Sequence, residues 1–574
     1  MPHATDALGQ LRVRSRMIFR AVDWTLPIWI GAALFLVFLM ILPLGWIFAT
    51  SLWGEQGWTL DAYVRVFTEA ALLKALRNTI LISFWVGVLA VVVGSLLAWL
   101  VTRTDLPAKK AIRALVMASF VTPPFLGAFA WTLLAGPNAG LLNRLYRSAT
   151  GAEGALLNIF TMEGLIFVMV LYSFPYVFSM VANIFELITS DLEDAANILG
   201  AGRLRTMLTI TLPLAAPALL GGFILAFLHS LSLFGVPAIL GLPAGLHTIT
   251  TQIWALFQYP PRPDLAAAFS VPLLLATMLL LALQRRILGQ RGYSTVGGKG
   301  GERRTVRLGI FRRPIFFLVL ALLSLSVFLP YGILLKAALA RAWALPLTWD
   351  NLTLGHFRFA FFQYGDTQGA ILNTFKLGIL TATAGTLIAA LIAYITNRQL
   401  FRGARYLAFF ALAPLVIPGI VLAVGLFFAY ARPPLLLYGT IWILFVAYLT
   451  KEMPVGFAQA ETTFKAIQIE LEDASRIMGA NRFMALKDVT APLARSGLIA
   501  TWCFIFIGVI RELSASILLF TPKSKVVSVV IFDLKEEGQI GVIAVLGILL
   551  LLVSFFLILA VHWVAGRDLL VSRE

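Results

Sequence analysis

Charge-free stretches long enough to cross the ~30 Å hydrocarbon core of a bilayer recur along this chain. Among them are 25–54, 78–102, 114–143, 377–397, 406–431 and 538–566. Backbone immersed in lipid must satisfy its own hydrogen bonds, which leaves runs of this kind little choice but helix. With 60% hydrophobic residues, 13% charged residues and a mean hydropathy of +0.90, an ordinary soluble domain is excluded. The pattern predicts an all-α polytopic membrane protein. Spans fall at about 25–50, 78–102, 112–135, 164–186, 213–240 and 265–285, then at about 314–337, 373–397, 406–431, 434–451, 492–520 and 538–564. The first apolar run follows a basic segment and is too long for a signal-peptide core, so it reads as retained. The lone cysteine, Cys503, sits in an apolar span and reads as a packing residue.

About twelve spans place both ends of the chain on one side. The segments sharing that side (1–23, 103–113, 186–205, 285–313, 398–405, 451–495 and 567–574) hold 30 of the 45 Lys and Arg but 16 of the 28 Asp and Glu. That excess of +14 in a total of +17 is the positive-inside bias, so these segments, both termini included, read as cytoplasmic. Nucleic acid is not needed to explain the charge.

The chain also repeats itself. LEDAANILGAGRLRTMLTITLPLA (192–215) lies over LEDASRIMGANRFMALKDVTAPLA (471–494) at a constant offset of 279, with 12 of 24 positions identical. LLAWLVTR (96–103) lies over LIAYITNR (391–398), Asn78-Thr79 over Asn373-Thr374, and Pro123 over Pro418, all at an offset of 295. The 16-residue difference falls around 136–156, where a surface insertion is cheap. Six spans per repeat is an even number, so the halves run in the same direction, as parallel repeats. The expected organisation is a cytoplasmic N-terminus (1–23), a first six-helix repeat (24–285), a basic Gly-rich linker (286–313), a second six-helix repeat (314–566) and a C-terminus (567–574).

Within each polar segment, acidic residues crowd a helix start, where the macrodipole favours them: Asp191, Glu193 and Asp194, then Glu470, Glu472 and Asp473. Gly200 and Gly479 stand where a left-handed cap would end that helix. A second short helix follows, and Pro213 or Pro492 suits the first turn of the next span. A short helix across the mouth of a bundle can transmit force from a cytosolic partner; a plain interfacial amphipathic helix is the alternative. A DNA-binding helix-turn-helix does not suit a segment tethered between two spans.

These segments resemble the EAA-type cytoplasmic loop of permease subunits of binding-protein-dependent ABC importers. The match runs through Glu193-Asp194-Ala195-Ala196 to Gly200, and through Glu472-Asp473-Ala474-Ser475 to Gly479, with serine at 475 in place of alanine. The resemblance implies a type I ABC importer permease-like fold in a bacterial inner membrane. It implies that Glu193, Asp194, Ala195, Gly200, Pro213, Glu472, Asp473, Ala474, Gly479 and Pro492 form two ATPase-coupling loops. It further implies two ATPase subunits that use ATP-Mg, and a periplasmic or lipid-anchored binding protein. FGVPAILGLPAGLHTITTQIW (234–254), LYGTIWILFVAYLT (437–450) and RELSASILLFTPKSKVVSVVIFDL (511–534) resemble the fused ferric-iron branch, whose relatives also carry aminoethylphosphonate, thiamine or polyamines. Ferric iron is therefore the first expectation for the cargo.

The chain has no G-x-x-x-x-G-K-[ST] phosphate loop, and GGKGGE (297–302) does not satisfy one. Hydrolysis is thus expected in separate subunits, with no catalytic residue and no cofactor in this chain. An intramembrane enzyme would need H-E-x-x-H or paired carboxylates, and neither is found. An ion-gradient-driven transporter shares the twelve-span plan but does not need matched docking loops.

Ionisable residues inside spans are costly and mark function. Arg511 and Glu512 interrupt the span after Pro492, and their aligned first-half positions are Ser232 and Leu233. His229 lies in the matching first-half span. A gating or pathway role fits these three, as does a snorkelling pair beside a hydrogen-bonded histidine. One histidine without a ligand cluster is no metal site. Pro123, Pro124, Gly127, Pro414, Pro418 and Gly419 read as kinks shaping a central cavity. The segments around 241–264 and 521–537 are expected to face a binding protein.

Overall fold

A computed structural model describes residues 27, 31–32, 34–35, 37–54, 57–187, 195–196, 198–289, 305–400 and 403–565. In chain order the long helices are α1 (Phe38–Ser51), α2 (Ala70–Arg103), α3 (Lys109–Val121), α4 (Pro124–Ala135), α5 (Met162–Leu187), α6 (Met207–Ser232) and α7 (Pro263–Gly289). The second half follows with α8 (Gly309–Leu339), α9 (Gly365–Asn397), α10 (Ala404–Val416), α11 (Gly419–Tyr430), α12 (Ile441–Lys465), α13 (Ile469–Ile477), α14 (Arg482–Ile510) and α15 (Ile540–Ala565). Nine described helices are long and apolar enough to span a membrane, and eleven spans result if each bent pair counts once. Within the expected span at 25–50, residues 25–26, 28–30, 33 and 36 lie outside the described residues; its continuous described part, α1, is apolar.

The two bent pairs are the expected kinks. α3 and α4 meet at 98° across Thr122-Pro123, and α10 and α11 at 107° across Ile417-Pro418. Proline lacks the amide a continuing helix needs and disfavours helical backbone in the residue before it, so each span breaks there and a fresh helix starts.

The expected separation between the second short helix of each polar segment and the following span is not observed. Both run on as single rods, α6 and α14, through five-residue π-helical turns at Met207–Thr211 and Leu486–Thr490. Pro213 and Pro492 sit just beyond those turns. The wider turn, closed by Leu212 N–H to Met207 and Ala491 N–H to Leu486, accommodates a residue that cannot donate an ordinary helical bond. The rods end at Ser232 and Ile510, earlier than the spans predicted at 213–240 and 492–520.

Within each half the second, fourth and fifth spans form one core: α2, α5 and α6, then α9, α12 and α14. The first span of each half stays against the last span of its own half, α1 on α7 and α8 on α15, and also reaches across to the other half. α1 packs on α11 of the second half, where the Tyr430 hydroxyl donates to the Phe38 carbonyl at 2.8 Å, and α8 packs on α4 of the first. This reciprocal embrace ties the halves into one bundle.

The aligned Asn-Thr pairs have a job that alignment alone did not reveal. Asn78 donates to the His247 carbonyl (3.1 Å) and Thr79 accepts from Ile249 N–H (2.8 Å). Asn373 donates to the Lys523 and Lys525 carbonyls (3.1 and 3.0 Å) and Thr374 accepts from Val527 N–H (2.9 Å). Each pair pins the segment after the fifth span of its half. The Lys525 ammonium also reaches Asp366 (2.9 Å) and Asp533 (3.1 Å). Partial burial opposes its charge, and the two carboxylates more than offset that, holding it above the usual lysine range. Asn373→Ala with Thr374→Val is expected to speed amide exchange across 521–537 at least roughly tenfold, since three hydrogen bonds of about 1 kcal/mol each are lost, and to leave α9 protected.

Candidate functional site: coupling loops and a charged cavity

The second polar segment is described throughout. α13 begins at Ile469 with Glu470 and Glu472 in its first turn, as the dipole argument expects. Gly479 follows at φ +95°, a left-handed conformation that side chains with a Cβ disfavour. The carbonyl of Ser475 accepts from Ala480 N–H at 3.1 Å, the long six-to-one bond of a Schellman-type cap. In the first copy Asp191, Glu193 and Asp194 lie outside the described residues. Gly200 there has φ +82°, and Ala201 N–H reaches Ala196 at 2.9 Å, the same cap 279 residues earlier.

Glu472 does not face outward. It is 5% exposed and its carboxylate is held from three sides. Arg398 donates from Nε and Nη2 at 2.9 Å, Thr490 Oγ1 at 2.6 Å and the Tyr394 hydroxyl at 3.1 Å. Arg398 caps α9 and also donates to the Ile467 carbonyl. Glu472 is therefore an anchor that fastens α13 to the end of α9 and to the π-turn of α14.

What the segment does present outward is apolar. Ile477 and Met478 are 84% and 88% exposed, and their counterparts Ile198 and Leu199 are 85% and 87% exposed. Each loop therefore ends in two large, bare apolar side chains at matched positions. Asp473 is exposed beside them, 3.8 Å from Arg476. Ala195 and Ala474 lie in the short helices, on faces that leave them open.

At the seam between the halves lies a cavity of about 390 Å³. It gathers His229, Arg511 and Glu512, the three residues expected in a pathway, together with Pro124, Pro414 and Gly419 from the two helix breaks. Arg511 follows the last residue of α14 and projects into the cavity. Its guanidinium lies 5.8 Å from the Phe120 ring centre of the first half, and its buried Nε has no hydrogen-bond partner. Glu512 is buried, ion-paired with Lys451, and accepts from Ala515 N–H at 2.8 Å. The snorkelling alternative thus fails. His229 is hydrogen-bonded to Ser173 (Nδ1 to Oγ, 3.2 Å) and its ring stands 4.8 Å from that of Tyr176. Among the described residues no group of three His, Cys, Asp or Glu is placed to hold a metal ion.

Lys451 and Glu452 also line the cavity, and sequence reasoning assigned them to a cytoplasmic segment. The predicted span stopped at the first charge, whereas α12 continues to Lys465. It does so because this helix is largely enclosed by protein, where charged side chains are tolerated. The signal available was the apolar run resuming at Met453. Glu452 is 9% exposed and lies over Gly508, where any added side chain would collide with its carboxylate. Moving this neutral pair into the bundle leaves the positive-inside count unchanged.

The family model described as "Binding-protein-dependent transport system inner membrane component" matches residues 90–291 and again 385–567. The chain belongs to that family. It is a two-repeat, multi-pass permease component of the inner-membrane type, a class of subunit that is not itself an enzyme. The permease is 25% identical over 548 residues to the ferric transport system permease protein FbpB of Actinobacillus pleuropneumoniae, covering 94% of this chain and 78% of that one. Over 242 residues the chain is 25% identical to the putative 2-aminoethylphosphonate transport system permease protein PhnV of Salmonella paratyphi A (42% of this chain and 89% of that one covered). A solved bacterial ABC transporter for the acidic polysaccharide alginate aligns at a TM-score of 0.38 and 17% identity, over 49% of this chain and 98% of its own.

Proposed function

We propose that this permease couples ATP hydrolysis in two separate subunits to import of a small solute, with ferric iron the first assignment for that solute. The observation that carries the reading is the pair of capped loops, each tipped by two bare apolar side chains at matched positions. One copy of the chain thereby offers two docking sites. Glu472 positions its loop, and the buried Arg103 is the first-half residue aligned with Arg398. The repeats span 24–285 and 314–566, joined by the basic linker, with both termini cytoplasmic. ATP-Mg binds in the partner subunits and draws the loops together, which opens the cavity outward; hydrolysis returns it inward. A binding protein, periplasmic or lipid-anchored, docks at the opposite end, where the Asn-Thr pairs stiffen the segments near 247–249 and 523–527.

Full-length similarity to ferric transport permeases supports iron, and the half-length similarity keeps aminoethylphosphonate as the runner-up; thiamine and polyamines follow. The test is ATP hydrolysis in proteoliposomes holding the permease and its ATPase, with the binding protein loaded in turn with each of the four. Stimulation by the iron-loaded form alone is expected. Stimulation by another form reassigns the cargo, and no ATPase association removes the coupling reading.

A further inference from the structure

We propose that the central cavity is itself a binding site for a bipolar solute, in which an oxyanion is joined to a positive centre, with Arg511 holding the oxyanion and Glu452 the positive end. Such a solute is an aminophosphonate or ferric iron carried with an oxyanion ligand. The inference rests on the importer reading for the direction of travel.

Four charged side chains line the cavity, and all belong to the second half. Their counterparts at the 279 offset are Tyr172, Ser173, Ser232 and Leu233. The first half builds the same helices without charge there, so folding does not require these groups. Lys451 and Glu512 neutralise each other. Arg511 and Glu452 have no ion-pair partner among the described residues, although both line the same cavity. Leaving two opposite charges desolvated and apart is costly unless a ligand bridges them.

The helix breaks bias the site further. α4 and α11 both begin at the cavity, at Pro124 and Gly419. Each N-terminus carries roughly half a positive charge, and discontinuous helices commonly aim such ends at anionic groups. The site is therefore positive on balance, which favours an oxyanion as the main contact, with Glu452 selecting what is attached to it. A bare ferric ion finds no set of three ligands here. The volume of 390 Å³ falls in the usual small-ligand range of about 300–1,000 Å³.

The test uses the full-length chain in lipid nanodiscs, with ligand binding read by calorimetry. The probes are 2-aminoethylphosphonate, ferric pyrophosphate, and the half-ligands ethylphosphonate and ethylamine. At least one bipolar probe should bind roughly tenfold or more tighter than either half-ligand, because each charged contact contributes about that much. Which one binds separates the amine from the metal as the positive centre. Arg511→Gln should weaken it at least roughly tenfold, and Arg511→Lys should recover part of the loss. Glu452→Gln should lower 2-aminoethylphosphonate, or the ferric probe, to the level of ethylphosphonate. Variants are compared only at wild-type melting temperature and monodispersity. Equal binding of ethylphosphonate and the bipolar probes, indifference to Glu452→Gln, or no binding of either bipolar probe at millimolar concentration overturns the site. ATPase docking, measured on the same nanodiscs, is independent of it: binding lost with docking intact removes the cavity site alone, and docking lost removes the importer reading.

Discussion

Glu472→Ala is expected to unseat the second coupling loop while the span bundle stays folded. Arg398 would remain buried, 5% exposed at its side chain, with its main counter-charge removed. Truncating one partner of a buried pair costs about 3–5 kcal/mol, enough to open α13 most of the time. Limited proteolysis should then cut between Ile467 and Thr490 far faster than in the wild type, and ATPase association should fall with it. The double variant Glu472→Leu with Arg398→Met removes both charges, and apolar replacement of a whole buried pair is close to neutral. It should restore much of the protease resistance, short of the wild type because Thr490 and Tyr394 still lose their acceptor. Equal cleavage of wild type and Glu472→Ala would show that the anchor holds nothing.

The second large effect lies on the other face of the same helix. Ile477→Asp with Met478→Asp should abolish ATPase association, weakening it by roughly a hundredfold or more, since two central apolar contacts of about 2 kcal/mol each would be replaced by desolvated charges. The permease itself should melt as before, because both side chains are almost fully exposed and substitutions there cost little. The same pair of changes at Ile198 and Leu199 should match it if both loops dock. The two experiments separate roles that the sequence runs together. One breaks the seat of the loop, and the other spoils its contact surface with the seat intact.

Much of the architecture is legible from residue order, because the bilayer and the duplication constrain it tightly. Charge-free runs mark the spans, prolines mark the two breaks, and a glycine at the same place in both copies marks a left-handed cap. The direction in which an acidic side chain points was not legible. Glu472 in a first helical turn satisfies the dipole whether it faces a partner or the bundle, and its inward course depends on Arg398, 74 residues away. Lys451 and Glu452 were hidden for a related reason. Hydropathy treats a charge as the end of a span, but a helix enclosed by its neighbours can carry one. Arg511 and Glu512 are legible because they interrupt an otherwise apolar span, where ionisable side chains are costly. Where Arg511 projects follows from α14 ending at Ile510, a stop partly set by the Glu512 carboxylate accepting from Ala515 N–H. The reach of α1 and α8 across to the other half leaves no mark in either repeat, since both are apolar enough to pack on either side.

The most direct test of the account is uptake of the stimulating cargo into proteoliposomes holding the permease, its ATPase and the loaded binding protein. ATP is kept constant and an ionophore collapses every ion gradient. Uptake is predicted to continue undiminished and to stop when ATP is removed or Ile477 and Met478 are replaced. Uptake that stops with the ionophore and persists without ATP would contradict it, and would make the chain a gradient-driven transporter.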